Sequence, residues 1–481
     1  MPRCTVLWFP LLFVGTLHGQ SAPARSQSGA APDFAAIDAY VTREMRGERI
    51  PGVSIAIVHG GEVVHARGFG ADGAGHAITP QTPFLLGSMS KSFTALALMQ
   101  LVQAGRVNLD SPAQSYLPEF RVADSVASAS ITLRHLLYHT SGIPTGASRG
   151  PAGGGLLGQV AALSQVTLES TPGTVHEYAS PNYIVLGAIV ERVAGISFAE
   201  YVRTQLLTPL DMQHSHVSQE EAMRDGMSRG HRYWFGFPVA TTLPYEADRL
   251  PTASIIASAE DLGHFMIAQL DAGRYLGTQL LSPDAVVEMH RGGVVVEGFS
   301  YAMGWRVSRD AAGQTRIHHG GIVPHFRGKM VMLPESGWGV VVLTNVSSSL
   351  PMSPASHRVA DNVASYLAGT PLPEAGSRFK LVHFAIALLV ALISAHQVRQ
   401  TLAVVRGRTN VPTGPGSLAR AAARVLVPIA VVICVPLLLG ISWGMAWQSM
   451  PDIVLWVVAL ALVDLGTRLY TVVQVRRGTS A

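Results

Sequence analysis

Thr82-Pro83-Phe84-Leu85-Leu86-Gly87-Ser88-Met89-Ser90-Lys91 turns from an extended run into a helix, and that turn decides the reading of the chain. A glycine turn follows Thr82-Pro83-Phe84-Leu85-Leu86, and apolar residues then recur at helical spacing (Phe93, Leu96, Ala97, Leu101, Ala104) up to Gly105. Ser88 therefore opens a helix. Side chains three apart share a helix face, so Ser88 and Lys91 can meet, and the helix N-terminus favours negative charge near the serine. A lysine buried there loses solvation, which lowers its pKa and lets it serve as a base. The lysines of the chain are Lys91, Lys329 and Lys380, against a large excess of arginine. Ser377-Arg378-Phe379-Lys380 repeats the Ser-x-x-Lys spacing, but in a polar linker before an apolar segment.

Working outward, Asp33 to Arg46 reads as a helix. Val53 to Val58 and Glu62 to Gly70 form two strands around a Gly60-Gly61 turn. Strands recur late, at Ser300 to Val307, Thr315 to His319, His325 to Leu333 and Gly339 to Asn345, before a helix at Ala355 to Leu367. Helices and loops are expected between. The expected fold is α+β, an antiparallel sheet built from both chain ends and flanked by helices, with an inserted helical subdomain.

The ends carry the apolar excess of a chain with mean hydropathy +0.29. Met1-Pro2-Arg3 and the run Val6 to Val14 fit a signal peptide over residues 1–24, too short for a comfortable span. Beyond a domain at 33–368 and a linker at 369–380, three apolar segments occupy 381–475: Leu381 to Val398, Val425 to Trp447 and Ile453 to Val475. They read as transmembrane helices. The basic loop holding Arg399, Arg406, Arg408, Arg420 and Arg424 should face the cytoplasm, placing everything before Leu381 on the periplasmic or extracellular side of a bacterial inner membrane. Asp464 and Arg468, four apart in the last segment, are expected to pair. From residue 375 onward ten basic residues meet two acidic ones, a balance of +8; with +4 overall, residues 1–374 carry −4. The basicity belongs to the membrane part, so the lipid bilayer is a partner and nucleic acid is not. Cys4 and Cys434 lie in the terminal apolar segments, leaving the exported part without disulfides and dependent on its core.

Two more stretches carry chemistry. In His176-Glu177-Tyr178-Ala179-Ser180-Pro181-Asn182-Tyr183, ahead of a helix from Ile184 to Val193, Tyr178 could relay protons. Ile317-His318-His319-Gly320-Gly321-Ile322 reads as a strand edge whose glycines admit a substrate backbone, with the two histidines on opposite faces.

With Ile131 to Pro144 (containing His139-Thr140-Ser141-Gly142) and Pro209-Leu210-Asp211-Met212, these motifs resemble the serine β-lactamase and penicillin-binding protein superfamily. The likeness is greatest to class C β-lactamase-like hydrolases, which include esterases and D-amino-acid-specific peptidases. The resemblance runs from about Ala35 to Leu367. It implies Ser88 as nucleophile, Lys91 as its base, Tyr178 as second proton-transfer group and His318 in place of the lysine of Lys-Thr-Gly. It further implies an oxyanion hole from the N–H groups of Ser88 and Gly321, with Ser180, Asn182, His319 and Gly320 about the substrate and neither metal nor cofactor. Two departures bear on substrate: Tyr-x-Asn is Tyr178-Ala179-Ser180 here, unless Asn182 reaches across, and His318 weakens the fixed positive charge. The implied substrate is thus an ester or a peptidoglycan-related D-amino-acyl group. Alternatives are a class C-type β-lactamase or DD-peptidase, or a non-catalytic receptor for β-lactams or peptidoglycan fragments signalling through its membrane helices. His135 and His139 have the spacing of a helical zinc pair, but Leu136 stands where a metalloprotease needs glutamate. Asn345-Val346-Ser347 matches a glycosylation acceptor yet ends an apolar strand.

Overall fold

The strand read at Val53 to Val58 is Gly52–His59, and residues that alternate along it face two different cores. Val53, Ile55 and Ile57 point to one core, with Val340, Val342, Val331 and Leu333. Ala56 and Val58 point to the other, with Val341, Leu343, Met330 and Met332. A sheet covered on both faces explains why these strands read as continuous apolar runs. The computed structural model describes residues 31–147, 150–242, 244–348, 355–374, 379–407, 443, 446–447 and 450–479. The proposed signal segment, both cysteines, Ser377 and most of the middle apolar segment lie outside them.

The sheet has eight strands in the order Glu62–Gly70, Gly52–His59, Trp338–Thr344, Phe326–Leu333, Thr315–Val323, Arg306–Arg309, Phe299–Tyr301 and Val294–Val296. All neighbours are antiparallel. Val53 lies opposite Thr344, so the two ends of the domain meet in mid-sheet as expected. Helices Phe34–Glu48 and Ser356–Leu367 cover one face; Ala259–Leu270 and the inserted helical region cover the other.

Three local readings change. The run from Ser300 to Val307 is two strands, because Gly304, at φ 75, turns the chain between Tyr301 and Arg306. The strand expected at Thr315 to His319 continues to Val323, since Gly320, Gly321 and Ile322 pair with Lys329, Gly328 and Arg327. The middle of the chain also holds a hairpin, His231–Trp234 with Phe237–Ala240, whose first strand runs parallel to Val346–Ser347.

After the domain, helix Phe379–Val405 begins earlier than the segment read at Leu381, and helix Pro451–Thr479 contains the last one. Among the described residues, Phe379–Val405 and Pro451–Val473 are long and apolar enough to cross a membrane, with mean hydropathy 2.0 and 1.8. Trp456 Nε1 donates to Ser394 Oγ at 2.9 Å, and Thr401 and Thr467 hydroxyls lie 3.0 Å apart, so the two helices run in the same direction. Arg468 Nε donates to Asp464 Oδ2 at 2.8 Å, the pairing expected of those charges. Asn345 is fully buried and donates to the Ala71 carbonyl, so Asn345-Val346-Ser347 presents no acceptor to solvent.

The two terminal helices of the domain are tied by charge. Arg358 bonds both Glu44 and Glu48, which are buried. Removing it takes a cation away from two buried carboxylates, and a hydrogen bond to a charged group is worth about 1.5–3 kcal/mol. Arg358→Ala should lower the thermal midpoint by several degrees, measured by circular dichroism of the full chain, while Arg358→Lys, which keeps the charge, should recover most of that loss.

Candidate active site

Ser88 sits in a single 3₁₀ turn, Gly87–Met89, that leads into helix Ser90–Gln103. Almost every residue of that helix is buried, and its hydroxyls are used to stitch it in. Ser90 Oγ accepts from Ile255 N–H at 3.2 Å, Thr94 Oγ1 donates to the Pro251 carbonyl at 2.7 Å, and Ser92 Oγ donates to the Gly304 carbonyl at 2.7 Å. Lys91 thus lies inside protein, wholly buried.

Its amine donates to Ser88 Oγ at 3.2 Å and to the Thr252 carbonyl at 3.0 Å. Burial lowers the Lys91 pKa from its ordinary value; Tyr178 opposes that shift, and the charges of Arg249 and Arg306 add to it. Tyr178 lies beside the amine, its ring centroid 5.0 Å from Nζ. The phenol oxygen is buried and makes no hydrogen bond of ordinary geometry among the described residues. Serine, amine and phenol are therefore together, with the phenol acting on the amine.

The strand edge closes the other side. Gly87, at φ 58, comes so close to this strand that a Cβ there would lie 2.7 Å from Ile322 N. A Cβ on Gly321 would lie 1.8 Å from the Leu86 carbonyl oxygen. Only glycine lets the turn and the strand touch backbone to backbone, which brings the N–H-bearing backbones of residues 88 and 321 to one place. A cleft of about 180 Å³ opens there, lined by Ser88, Tyr178, Arg306, His318, His319, Gly320, Ile322, Lys329 and His357. A larger cavity of about 540 Å³ adjoins it through Tyr178 and is lined by Ala147, Leu163, Ser180, Ile184, Tyr245 and Arg249, among others.

The chain belongs to the beta-lactamase family. That family's model matches residues 37–365. The protein flp of Staphylococcus aureus (strain MW2) is 27% identical over 332 residues, which cover 65% of this chain and 63% of that protein. Penicillin-binding protein 4 of Amycolatopsis lactamdurans is 32% identical over 310 residues, covering 62% and 81%. Among solved structures, the octameric penicillin-binding protein homologue from Pyrococcus abyssi superposes with a TM-score of 0.61 at 27% identity, covering 70% of this chain and 78% of that one. The chain spans less than two thirds of the length of the flp protein. The expected recognition and fold class stand, and the family makes the chain a serine-hydrolase relative in general terms.

The remaining site expectations divide. His319 turns inward, its Nε2 3.2 Å from the buried Tyr301 hydroxyl and its Nδ1 2.8 Å from the Gly320 carbonyl. His318 lies 3.4 Å from Ser308 Oγ, and burial, helped by the charge of Lys329, pushes its pKa down to about 3. It is neutral at physiological pH. Ser180 lines the larger cavity, not the cleft at Ser88. Asn182 lines neither: it is wholly buried, with its amide oxygen accepting from Ser141 Oγ at 2.7 Å and its nitrogen 3.0 Å from His139 Nδ1. Its amide is engaged inside the fold and does not reach across.

Sequence reasoning missed two residues. His139, weighed only as half of a metal pair, lies beyond the end of helix Leu133–Leu137 with φ 55, so the helical spacing to His135 is not realised. Its Nδ1 accepts from Ala179 N–H at 3.1 Å and its carbonyl accepts from Glu177 N–H at 2.7 Å, bracketing Tyr178. Burial holds His139 well below its ordinary pKa, in keeping with a neutral ring that accepts at Nδ1. Arg306, hidden in what reads as one strand, follows the Gly304 turn and faces the cleft. Its guanidinium carbon lies 4.7 Å over the Phe299 ring and 5.9 Å from that of Tyr178. Lys329 is matched by Asp361 at 2.6 Å, while Arg306 forms no ion pair among the described residues. The signal for His139 was its place in His139-Thr140-Ser141-Gly142; none marked Arg306.

Gly321→Ala should force the turn from the strand and carry the residue 321 N–H away from Ser88, a loss of roughly 10²–10³ in rate where such a donor serves an oxyanion. Acylation at Ser88 by a fluorophosphonate, followed by mass spectrometry, should slow accordingly, whereas Gly313→Ala, on a distant turn, should leave it unchanged.

Proposed function

We propose that the protein is a membrane-anchored extracytoplasmic serine hydrolase that forms an acyl-enzyme on Ser88. Its substrates are esters or peptide-like, D-amino-acyl amides. The carrying observation is the buried Lys91 amine 3.2 Å from Ser88 Oγ, beside the Tyr178 phenol. Ser88 Oγ adds to the substrate carbonyl as its proton passes to Lys91. The backbone N–H groups of Ser88 and Gly321 receive the developing oxyanion. As the carbonyl re-forms, the bond to the leaving group breaks and Tyr178 conveys a proton to the departing atom. Water then adds to the acyl-enzyme, losing its proton to the Tyr178 and Lys91 pair, and Ser88 regains its hydrogen. His139 acts on this chemistry as a positioning residue for Tyr178. The two parallel apolar helices support anchoring, since the three-span reading requires its first and third spans to run alike.

The test is Ser88 labelling. A fluorophosphonate should add one mass to the full chain, and Ser88→Ala should abolish the adduct; an unlabelled, folded wild type defeats the reading. Lys91→Met should slow labelling by roughly 10²–10⁴-fold. The base acts when deprotonated, and burial lowers the Lys91 pKa, so the labelling rate should rise with pH along a limb centred below 10.5. A limb centred at or above that value, measured by stopped-time labelling, counts against Lys91 as the base.

Arg306 supplies the fixed charge that neutral His318 does not. Arg306→Gln should therefore reduce hydrolysis of a 3-carboxyphenyl ester by roughly tenfold more than that of the matching phenyl ester, the range expected for a charge-assisted bond. Equal losses on the two esters would assign Arg306 to packing against Phe299.

A further inference from the structure

The outer ends of both apolar helices meet one hairpin of the catalytic domain. Phe379, the first residue of helix Phe379–Val405, lies 4.7 Å from the Tyr233 ring, and Asp452, second in the last helix, accepts from Phe235 N–H at 2.6 Å. Around this junction the hairpin leaves Trp234, Phe237 and Val239 exposed. Aromatic side chains at the ends of apolar helices favour the membrane–water boundary.

Beside them is an open cavity of about 880 Å³, remote from the cleft and lined by Arg46, Arg49 and Lys380 along with Thr42, Met45 and Phe69. No carboxylate lines it. The acids on the same helix are directed elsewhere: Glu44 and Glu48 to Arg358, and Asp38 to His65 and Arg67. Arg49 is held in place, donating to the Gly236 carbonyl at 3.0 Å with its guanidinium carbon 4.1 Å over the Phe237 ring. Lys380 is the second residue of the first apolar helix, at the level where that helix leaves the domain.

We infer that this cavity is a binding site for the phosphate-bearing headgroup of an anionic phospholipid of the outer leaflet, gripped by Arg46, Arg49 and Lys380. The inference rests on the membrane reading above. Charge complementarity and continuity with the apolar helices select the occupant: the phosphate meets the three cations while the acyl chains lie along Phe379–Val405. The catalytic domain is then fixed in height and tilt on the bilayer by lipid as well as by its helices.

The experiment uses the full chain in neutral detergent with equimolar phosphatidylglycerol and phosphatidylcholine of identical acyl chains, read by native mass spectrometry. The wild type should retain phosphatidylglycerol over phosphatidylcholine, with about fivefold preference per engaged cation. Arg46→Glu combined with Lys380→Glu, both at exposed positions, should bring the ratio near one while Ser88 labelling stays intact; Arg49→Gln should fall between. Equal retention of the two lipids by the wild type, or an unchanged ratio in the variants, overturns the inference. Loss of the phosphatidylglycerol adduct to millimolar glycerol 3-phosphate also overturns it, in favour of a soluble phosphate ester. The membrane reading fails separately, if the chain leaves membranes in an alkaline carbonate wash.

Discussion

The structure depends on keeping one ammonium-bearing side chain out of water. Lys91 is wholly buried in a helix whose neighbours are almost all apolar, and a charge in that position is expensive unless it finds partners. It has two oxygen acceptors, Ser88 Oγ and the Thr252 carbonyl, and the aromatic faces of Tyr178 and Tyr183 at 5.0 and 5.9 Å. Burial lowers its hold on a proton, and the charges of Arg249 and Arg306 add to that effect while Tyr178 opposes it. The hydroxyls of Ser90, Ser92 and Thr94 serve the same end, since their bonds to Ile255, Gly304 and Pro251 keep the helix seated.

Electrostatics around the cleft follow from burial more than from charge pairing. His139, His318 and His319 all have their pKa values lowered, with desolvation the leading cause in each. Neutral histidines accept and donate in fixed directions, and His139 uses this to hold the backbone on either side of Tyr178. Lys329 is neutralised by Asp361, and burial weakens the hold of Lys91 on its proton, which leaves Arg306 as the standing positive charge among the residues lining the cleft.

The hairpin at His231–Ala240 links the two halves of the molecule. It extends the inner strand Val346–Ser347 on one side and seats Phe379 and Asp452 on the other. Its exposed aromatic residues have a physical reason to lie where the helices emerge.

The sequence by itself determined what depends on local spacing. Helix and strand periods announced the sheet edges, the Gly60-Gly61 turn and the helix after Ser88; the three-residue interval brought Ser88 and Lys91 onto one face; long apolar segments announced the terminal helices. Tertiary structure alone decided which distant groups converge. Nothing in the spacing of Asn182 told that its amide turns inward to His139 and Ser141, because that choice is made by competition among buried donors and acceptors from two segments remote in sequence. Arg306 was invisible because a glycine turn, at Gly304, reverses the strand that carries it. The contact of Gly87 with Gly321 joins backbones remote in sequence, and only the space between them shows that neither tolerates a side chain.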